Sequence, residues 1–188
     1  RVVPVIEALA GETRISIDTT KPEVARAAVA AGATLINDIS ASLHEVAAET
    51  GAGWVAMHML GSPSTMQEAP RYDDVVAEVA EHLAERLREG RASGIAEIWI
   101  DPGIGFGKTD EHNLALLRHL DRFVELGAPV IVGTSRKGFL GRILGASDAV
   151  GDGPGASPAP VGDRLEGSLA TATWAMVQGA RMIRAHDV

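Results

Sequence analysis

The sequence predicts an α/β fold built on a parallel sheet, and three observations predict it. Short apolar runs alternate with helical patterns six times along the chain. The apolar runs lack period-2 alternation, as strands buried on both faces require. Nearly every run ends in a polar or charged residue. The first two observations fit both an open doubly wound sheet and a closed (β/α)8 barrel. The third favours the barrel, which collects functional residues at the C-terminal ends of all its strands. A doubly wound sheet concentrates them near one switch point.

The chain opens on a helical pattern over residues 2–10. The run 15–17 ends in Asp18. Pro22 suits a first helical turn, the Ala-rich stretch 23–31 extends it, and Gly32 stops it. Leu35 and Ile36 end in Asn37-Asp38, and a short helix is predicted around 45–50. Residues 54–57 end in His58. The longest predicted helix covers 72–91, with Val76, Val79, Leu83 and Leu87 on one stripe. Residues 98–100 end in Asp101. A second clear helix is predicted over 110–126, its period set by Leu114, Leu117, His119, Leu120 and Val124. The run 129–132 breaks at Gly133 and delivers Thr134, Ser135, Arg136 and Lys137 into a short helix around 140–145. A last helix is predicted over 165–179. Met182 and Ile183 then lead to Arg184, His186 and Asp187. Residues 59–70 and 146–160 carry no period; the first reads as a mobile loop and the second as flexible filler.

A closed barrel needs eight units and ~250 residues. The expectation is therefore a single barrel domain over residues 1–188, partial, lacking roughly the first two βα units and the last helix.

Composition narrows the function. With 46% hydrophobic residues among 188, the chain can bury a core and is not disordered. Its net charge of −8 argues against non-specific binding to nucleic acid or anionic membrane, so neither is expected as a partner. It has no cysteine, hence no disulfides and no thiolate chemistry, which fits a cytoplasmic protein. No apolar run approaches the ~20 residues of a membrane span.

Asp18, Asn37, Asp101, Lys137, Arg184 and His186 all fall at predicted strand ends, which a barrel brings to one pocket. Carboxylates accept hydrogen bonds and an amide both donates and accepts, so Asp18, Asn37 and Asp101 suit a donor-rich heterocycle edge such as an aminopyrimidine. Lys137, Arg184 and His186 suit an anion. Acceptors on one wall and cations on the other suit a heterocycle bearing phosphate. Plainer roles are open for several of these: Asp18 as a helix N-cap, Asn37-Asp38 as turn residues, His58 as a satisfied polar side chain. The Gly103–Gly107 run resembles a phosphate loop only loosely and lacks Walker spacing.

Taken together, several segments resemble the dihydropteroate synthase family of pterin-binding barrels. They are Ser16-Ile-Asp18-Thr19, Asn37-Asp38, Met57-His-Met59 with Met66-Gln67, Asp101-Pro-Gly-Ile-Gly-Phe-Gly-Lys108, Gly133-Thr-Ser-Arg-Lys137 and Arg184-Ala-His186-Asp187. They occur in family order and span almost the whole chain. The resemblance implies a transferase of folate biosynthesis and a sulfonamide target. It would condense 6-hydroxymethyl-7,8-dihydropterin diphosphate with p-aminobenzoate, releasing diphosphate, with Mg2+ assisting. By the same resemblance, Asp18 and Lys137 are catalytic. Asp18, Asn37, Asp101 and Lys137 would bind the pterin, and Arg184 and His186 the diphosphate. Phe106, Ser135 and Arg136 would border the aminobenzoate. A homodimer is implied too.

Departures from the family pattern bear on activity. The first-strand motif, whose Asn contacts Mg2+, does not occur here, so no metal ligand is expected within this segment. The Ser/Thr-Arg-Pro-Gly loop of the second strand does not occur either. The expectation is that these 188 residues alone do not turn over. Gly138 follows the basic turn where some members carry Ser or Arg, so aminobenzoate recognition would lean on backbone N–H groups there. An alternative is a non-catalytic pterin-binding paralogue. A pterin-dependent methyltransferase on a similar barrel would not need the basic turn or the Arg184–Asp187 element.

Overall fold

The computed structural model describes residues 1–148 and 157–188. The chain runs α1 (Val3–Leu9), β1 (Ser16–Asp18), α2 (Pro22–Ala30), β2 (Leu35–Asp38), α3 (His44–Thr50), β3 (Gly53–Met57), α4 (Val75–Ala92) and β4 (Ile98–Asp101). It continues with α5 (Asp110–Arg118), α6 (Asp121–Val124), β5 (Ile131–Val132), α7 (Gly138–Asp148), a short 3-10 turn (Val161–Asp163), α8 (Leu165–Val177) and β6 (Met182–Ile183). All six apolar runs are strands.

Strand order decides the architecture. β1 to β4 pair in sequence order and in parallel, and β5 pairs with β6 in parallel. A parallel bridge between Ile100 and Val130 joins the two groups, with the Ile100 N–H donating to the Pro129 carbonyl at 3.1 Å. The order is thus sequential from β1 to β6, with no reversal among the described residues. A doubly wound sheet needs such a reversal, so this is the order of a (β/α)8 barrel. Connections of one hand then place every helix on the same face.

Alternation along the strands sorts their side chains. One set faces the helices: Ile36, Trp54, Ala56, Ile98, Ile100, Val130 and Val132 belong to the main buried cluster, with Val79, Leu83 and Leu87 of α4. The other set faces inward. Leu35, Val55 and Ile131 form a second apolar cluster, with Trp99 and Met182 packed against it. Two residues further along the same strands come Asn37, Met57, Asp101, Gly133 and Arg184. The barrel floor is therefore apolar, and the layer above it is polar.

Helix boundaries depart from the periodicity in three places. The helix expected from residue 72 starts at Val75, because Asp74 caps it by accepting from the N–H groups of Val76 and Ala77. The helix expected over 110–126 is two, broken at His119. The break turns Phe123 into the core beside Leu116, Leu117 and Leu120 and leaves Leu114 exposed, so the stripe read from the sequence was partly the wrong one. α7 extends through Ala146 and Ser147 to Asp148, which the sequence placed in filler. Of the remainder of that stretch, 149–156 lie outside the described residues and 157–160 carry no helix or strand. Residues 59–70 form turns, anchored where the Gln67 amide donates to the Gly105 carbonyl.

Asp38 shows how the loops are held. Fully buried, it accepts from the N–H groups of Ser42 and Leu43 at 2.7 Å, that of Ser40 at 2.9 Å and the Trp54 indole at 3.3 Å. Asp38→Ala leaves these donors unpaired and is expected to cost about 4 kcal/mol in urea unfolding. A loss below about 1 kcal/mol would show that the loop satisfies them otherwise.

Candidate functional site

Five strand ends meet at the polar layer. Asp18 is free to join it because α2 does not use it as a cap: the N-cap is Lys21, and Thr19 Oγ1 accepts the Lys21 N–H at 3.1 Å. Instead Asp18 Oδ2 accepts from Asn37 Nδ2 at 2.8 Å. Arg184 Nη1 donates to Asn37 Oδ1 at 3.1 Å, and Arg184 Nη2 to Asp101 Oδ2 at 3.0 Å. Asp101 Oδ1 takes the Gly103 N–H at 2.8 Å. Asp18, Asn37, Arg184 and Asp101 therefore form one continuous hydrogen-bonded chain across the barrel mouth. Asn37 and Asp101 are buried, whereas Asp18 is exposed.

The sequence suggested acceptors on one wall and cations on another. The structure instead places Arg184 among the acceptors. Two causes act together. A fully buried carboxylate needs a cation, and Gly133, just past the end of β5, has no side chain to block the crossing. A Cβ there would sit 2.8 Å from Arg184 Nη2. His186 goes elsewhere. Its backbone N–H donates to Ser135 Oγ at 3.1 Å, and its Nδ1 meets the same oxygen at 3.0 Å.

The basic turn forms the other side of the site. Thr134 and Ser135 are buried. Arg136 pairs with Asp187, its Nε 3.1 Å from Oδ2. Lys137 Nζ lies 4.0 Å from the centre of the Phe106 ring, a cation–π contact. Burial holds the Lys137 ammonium below the usual lysine range, although Asp101 and Asp18 pull it back up. Lys137 also lines a cleft of about 620 Å³ together with Lys108, Asn113, Phe139 and the Asp110–Arg142 ion pair. It thus stands between the polar layer and open space large enough for a small aromatic ligand. Phe106 and Lys137 are brought together here, while Ser135 turns to His186 and Arg136 to the exposed Asp187.

The glycine-rich run serves close packing. At Gly103 a Cβ would lie 1.8 Å from the His58 carbonyl oxygen, and at Gly107 one would lie 2.7 Å from that of Leu60; both have positive φ. The loop after β4 is pressed against the loop after β3, and no side chain fits between.

Sequence reasoning missed what pins those loops. Lys108 is only 1% exposed. Its Nζ lies 2.9 Å from the Phe106 carbonyl oxygen and 2.9 Å from His58 Nδ1. His58 is therefore a satisfied internal side chain. Its pKa is pushed down to about 3, first by burial and then by Lys108. The signal for Lys108 was present in its motif, but a lysine after a glycine run reads equally well as solvated surface.

Among the described residues, no group of three or more His, Cys, Asp or Glu could hold a metal ion. Among the described residues, no helix is long and apolar enough to cross a membrane.

Burial lowers Lys108 from its ordinary 10.5 to about 7, against the pull of Asp101. The unfolded chain then binds more protons between about 7 and 10.5. Stability should rise with pH across that window, by at most ~1.4 kcal/mol per pH unit. The burial penalty is fully present below about 7 and gone above about 10.5. Lys108→Met is expected to flatten this rise in denaturation curves taken along the pH scale, leaving the smaller part that the buried Lys137 contributes. A wild-type slope in the variant would assign it to another group.

Comparison with known proteins places this geometry. Residues 1–186 match the family model described as pterin binding enzyme. The chain is 46% identical over 196 residues to dihydropteroate synthase from Escherichia coli (strain K12), covering 100% of this chain and 65% of that relative. The structure of dihydropteroate synthase from Stenotrophomonas maltophilia, with imidazole in its active site, superposes with a TM-score of 0.89 at 47% identity, covering 100% of this chain and 69% of that one. The Xanthomonas albilineans enzyme in complex with 7,8-dihydropteroate gives a TM-score of 0.85 at 42% identity, covering 100% and 67%. The chain thus spans somewhat less than two thirds of the length of the Escherichia coli relative.

Proposed function

The chain belongs to the pterin-binding enzyme family, and from that premise we propose that the protein it represents is a dihydropteroate synthase. It would condense 6-hydroxymethyl-7,8-dihydropterin diphosphate with p-aminobenzoate to give 7,8-dihydropteroate and diphosphate. The observation that carries this is the chain Asp18–Asn37–Arg184–Asp101, flanked by Lys137 over the Phe106 ring. It supplies acceptors and donors for a heterocycle edge beside cations for an anion. The bound dihydropteroate of the Xanthomonas albilineans relative supports the same reading.

Each group has a role in that reaction. Asp101 and Asn37 bind the pterin edge, and Lys137 contacts the ring. The bond from the pterin methylene carbon to the diphosphate oxygen breaks, and its electron pair leaves on oxygen. Asp18 faces the positive charge that develops on the pterin. Arg184 uses two of its five N–H donors on Asn37 and Asp101, leaving three for diphosphate oxygens. His186 is oriented through Nδ1 by Ser135 and presents Nε2 to the same anion. The arylamine nitrogen then forms the C–N bond and sheds a proton, with the aminobenzoate beside Phe106 and the Ser135–Arg136–Lys137 turn. Held in line, the two substrates react as if at high effective concentration.

Mg2+ belongs to this reading through the family, but the described residues offer no cage for it, so no step is assigned to it. A homodimer is supported by exposed apolar side chains on α8, among them Leu169, Met176 and Val177. Cytoplasmic residence and one barrel domain complete the proposal.

The test is an assay of the complete protein for dihydropteroate formed from the two substrates with Mg2+. Lys137→Ala and Asp101→Asn are each expected to cut turnover about a hundredfold, the scale of a lost transition-state contact. Pterin binding without turnover in the unaltered protein would instead identify a non-catalytic paralogue.

A further inference from the structure

The basic turn holds a conformation that its own sequence does not favour. Arg136 has φ of 57°, and Ala41 is the one other described non-glycine residue with positive φ. Left-handed backbone is unfavourable for a side chain of this size. Yet this kink is what sends Ser135 toward His186 and Lys137 over Phe106 on either side of it.

Both backbone polar groups of Arg136 are bound by the start of α8, 28 and 32 residues further along. Its N–H donates to Ser168 Oγ at 3.0 Å. Its carbonyl accepts from Arg164 Nη1 at 3.0 Å. The two holders are themselves fixed. Ser168 Oγ donates to the Arg164 carbonyl at 2.6 Å, and Arg164 Nε donates to the Ala159 carbonyl at 2.9 Å. The Arg164 guanidinium lies flat against α7 at Gly141, where a Cβ would come within 2.5 Å of Nε. One turn on, Thr171 Oγ1 donates to Thr134 Oγ1 at 2.8 Å, so α8 also grips the first residue of the turn. Ser168 is buried, and its hydroxyl is the partner of the Arg136 N–H.

We propose that Arg164 and Ser168 are positioning residues for the condensation: they clamp the Thr134–Lys137 turn in its left-handed kink and thereby aim Ser135 and Lys137 at the aminobenzoate side of the site. This rests on the synthase reading for its chemistry, though not for its geometry. Asp18, Asn37 and Asp101 hold the pterin edge from other strands, so pterin diphosphate, which meets this turn only through Lys137 and through His186 on Ser135, should be weakened less than aminobenzoate.

The complete protein tests this with Ser168→Ala, Ser168→Thr and Arg164→Met. Turnover is measured against both substrates, pterin diphosphate affinity by titration, and amide hydrogen exchange on peptides covering 133–138. Ser168→Ala and Arg164→Met are expected to raise the aminobenzoate KM tenfold or more. Exchange of the turn should quicken at least tenfold, with pterin diphosphate affinity falling by no more than about threefold. Ser168→Thr keeps the hydroxyl and should behave as wild type in every readout. Unchanged exchange in both disrupting variants overturns the clamp. Quickened exchange with unchanged kinetics overturns its role in positioning. Equal weakening of both substrates overturns it too, since that reports general loosening. If the unaltered protein shows no turnover, the synthase reading falls instead. The clamp is then decided by exchange alone, faster exchange upholding it and unchanged exchange refuting it.

Discussion

Burying the carboxylate of Asp101 is the constraint around which the site is arranged. The side chain sits at the inner face of β4 with no access to water, so its charge must be answered locally. The Gly103 N–H answers one oxygen and Arg184 the other. The first contact folds the glycine-rich loop back over the strand end. The second draws the Arg184 guanidinium, just past β6, across the barrel mouth over Gly133 at the end of β5 to reach Asn37 as well. A single buried charge thereby ties together elements far apart in sequence and leaves a preorganised array of donors and acceptors. Preorganisation of this kind lets a site stabilise developing charge without rearranging at the moment of reaction.

The two sides of the site are built differently. One side consists of strand ends, whose positions follow from backbone pairing. The other is a turn and a loop, whose positions depend on side chains from elsewhere: Lys108 beneath Phe106, and Arg164 with Ser168 behind Arg136. Loops carried on a rigid scaffold are common places for function. Here each carries its own fastening. On the proposed reading, the sheet provides affinity for the heterocycle and the fastenings provide alignment of the second substrate.

Much of this was legible in the sequence, for an identifiable reason. Strands of a covered parallel sheet are continuous apolar runs, and each ends where the run meets a polar residue. The same residue that marks the end of the strand therefore marks the site. Asp18, Asn37, Asp101 and Arg184 were visible in that way. What was not legible depends on side chains meeting across long separations. Lys108 and His58 lie 50 residues apart, and no local pattern announces that one buries its amine against the other. The clamp on Arg136 is equally non-local. The break at His119 escaped because apolar residues continue through it, so that periodicity alone supports one helix and only the burial of Phe123 requires two.

Alternation along β4 couples assembly to chemistry. Ile100 faces the helices and Asp101 faces the barrel interior, both fully buried. A slip of one residue in the pairing of this strand would exchange them. The carboxylate would then be thrust among the apolar side chains under α4, out of reach of Arg184, while an isoleucine filled its place at the mouth. Few errors in sheet formation could cost more, because an uncompensated buried charge is among the most expensive defects a fold can carry. The residue that serves the ligand thus also proofreads the sheet, and a chain that has found its native register has assembled its binding groups in the same act.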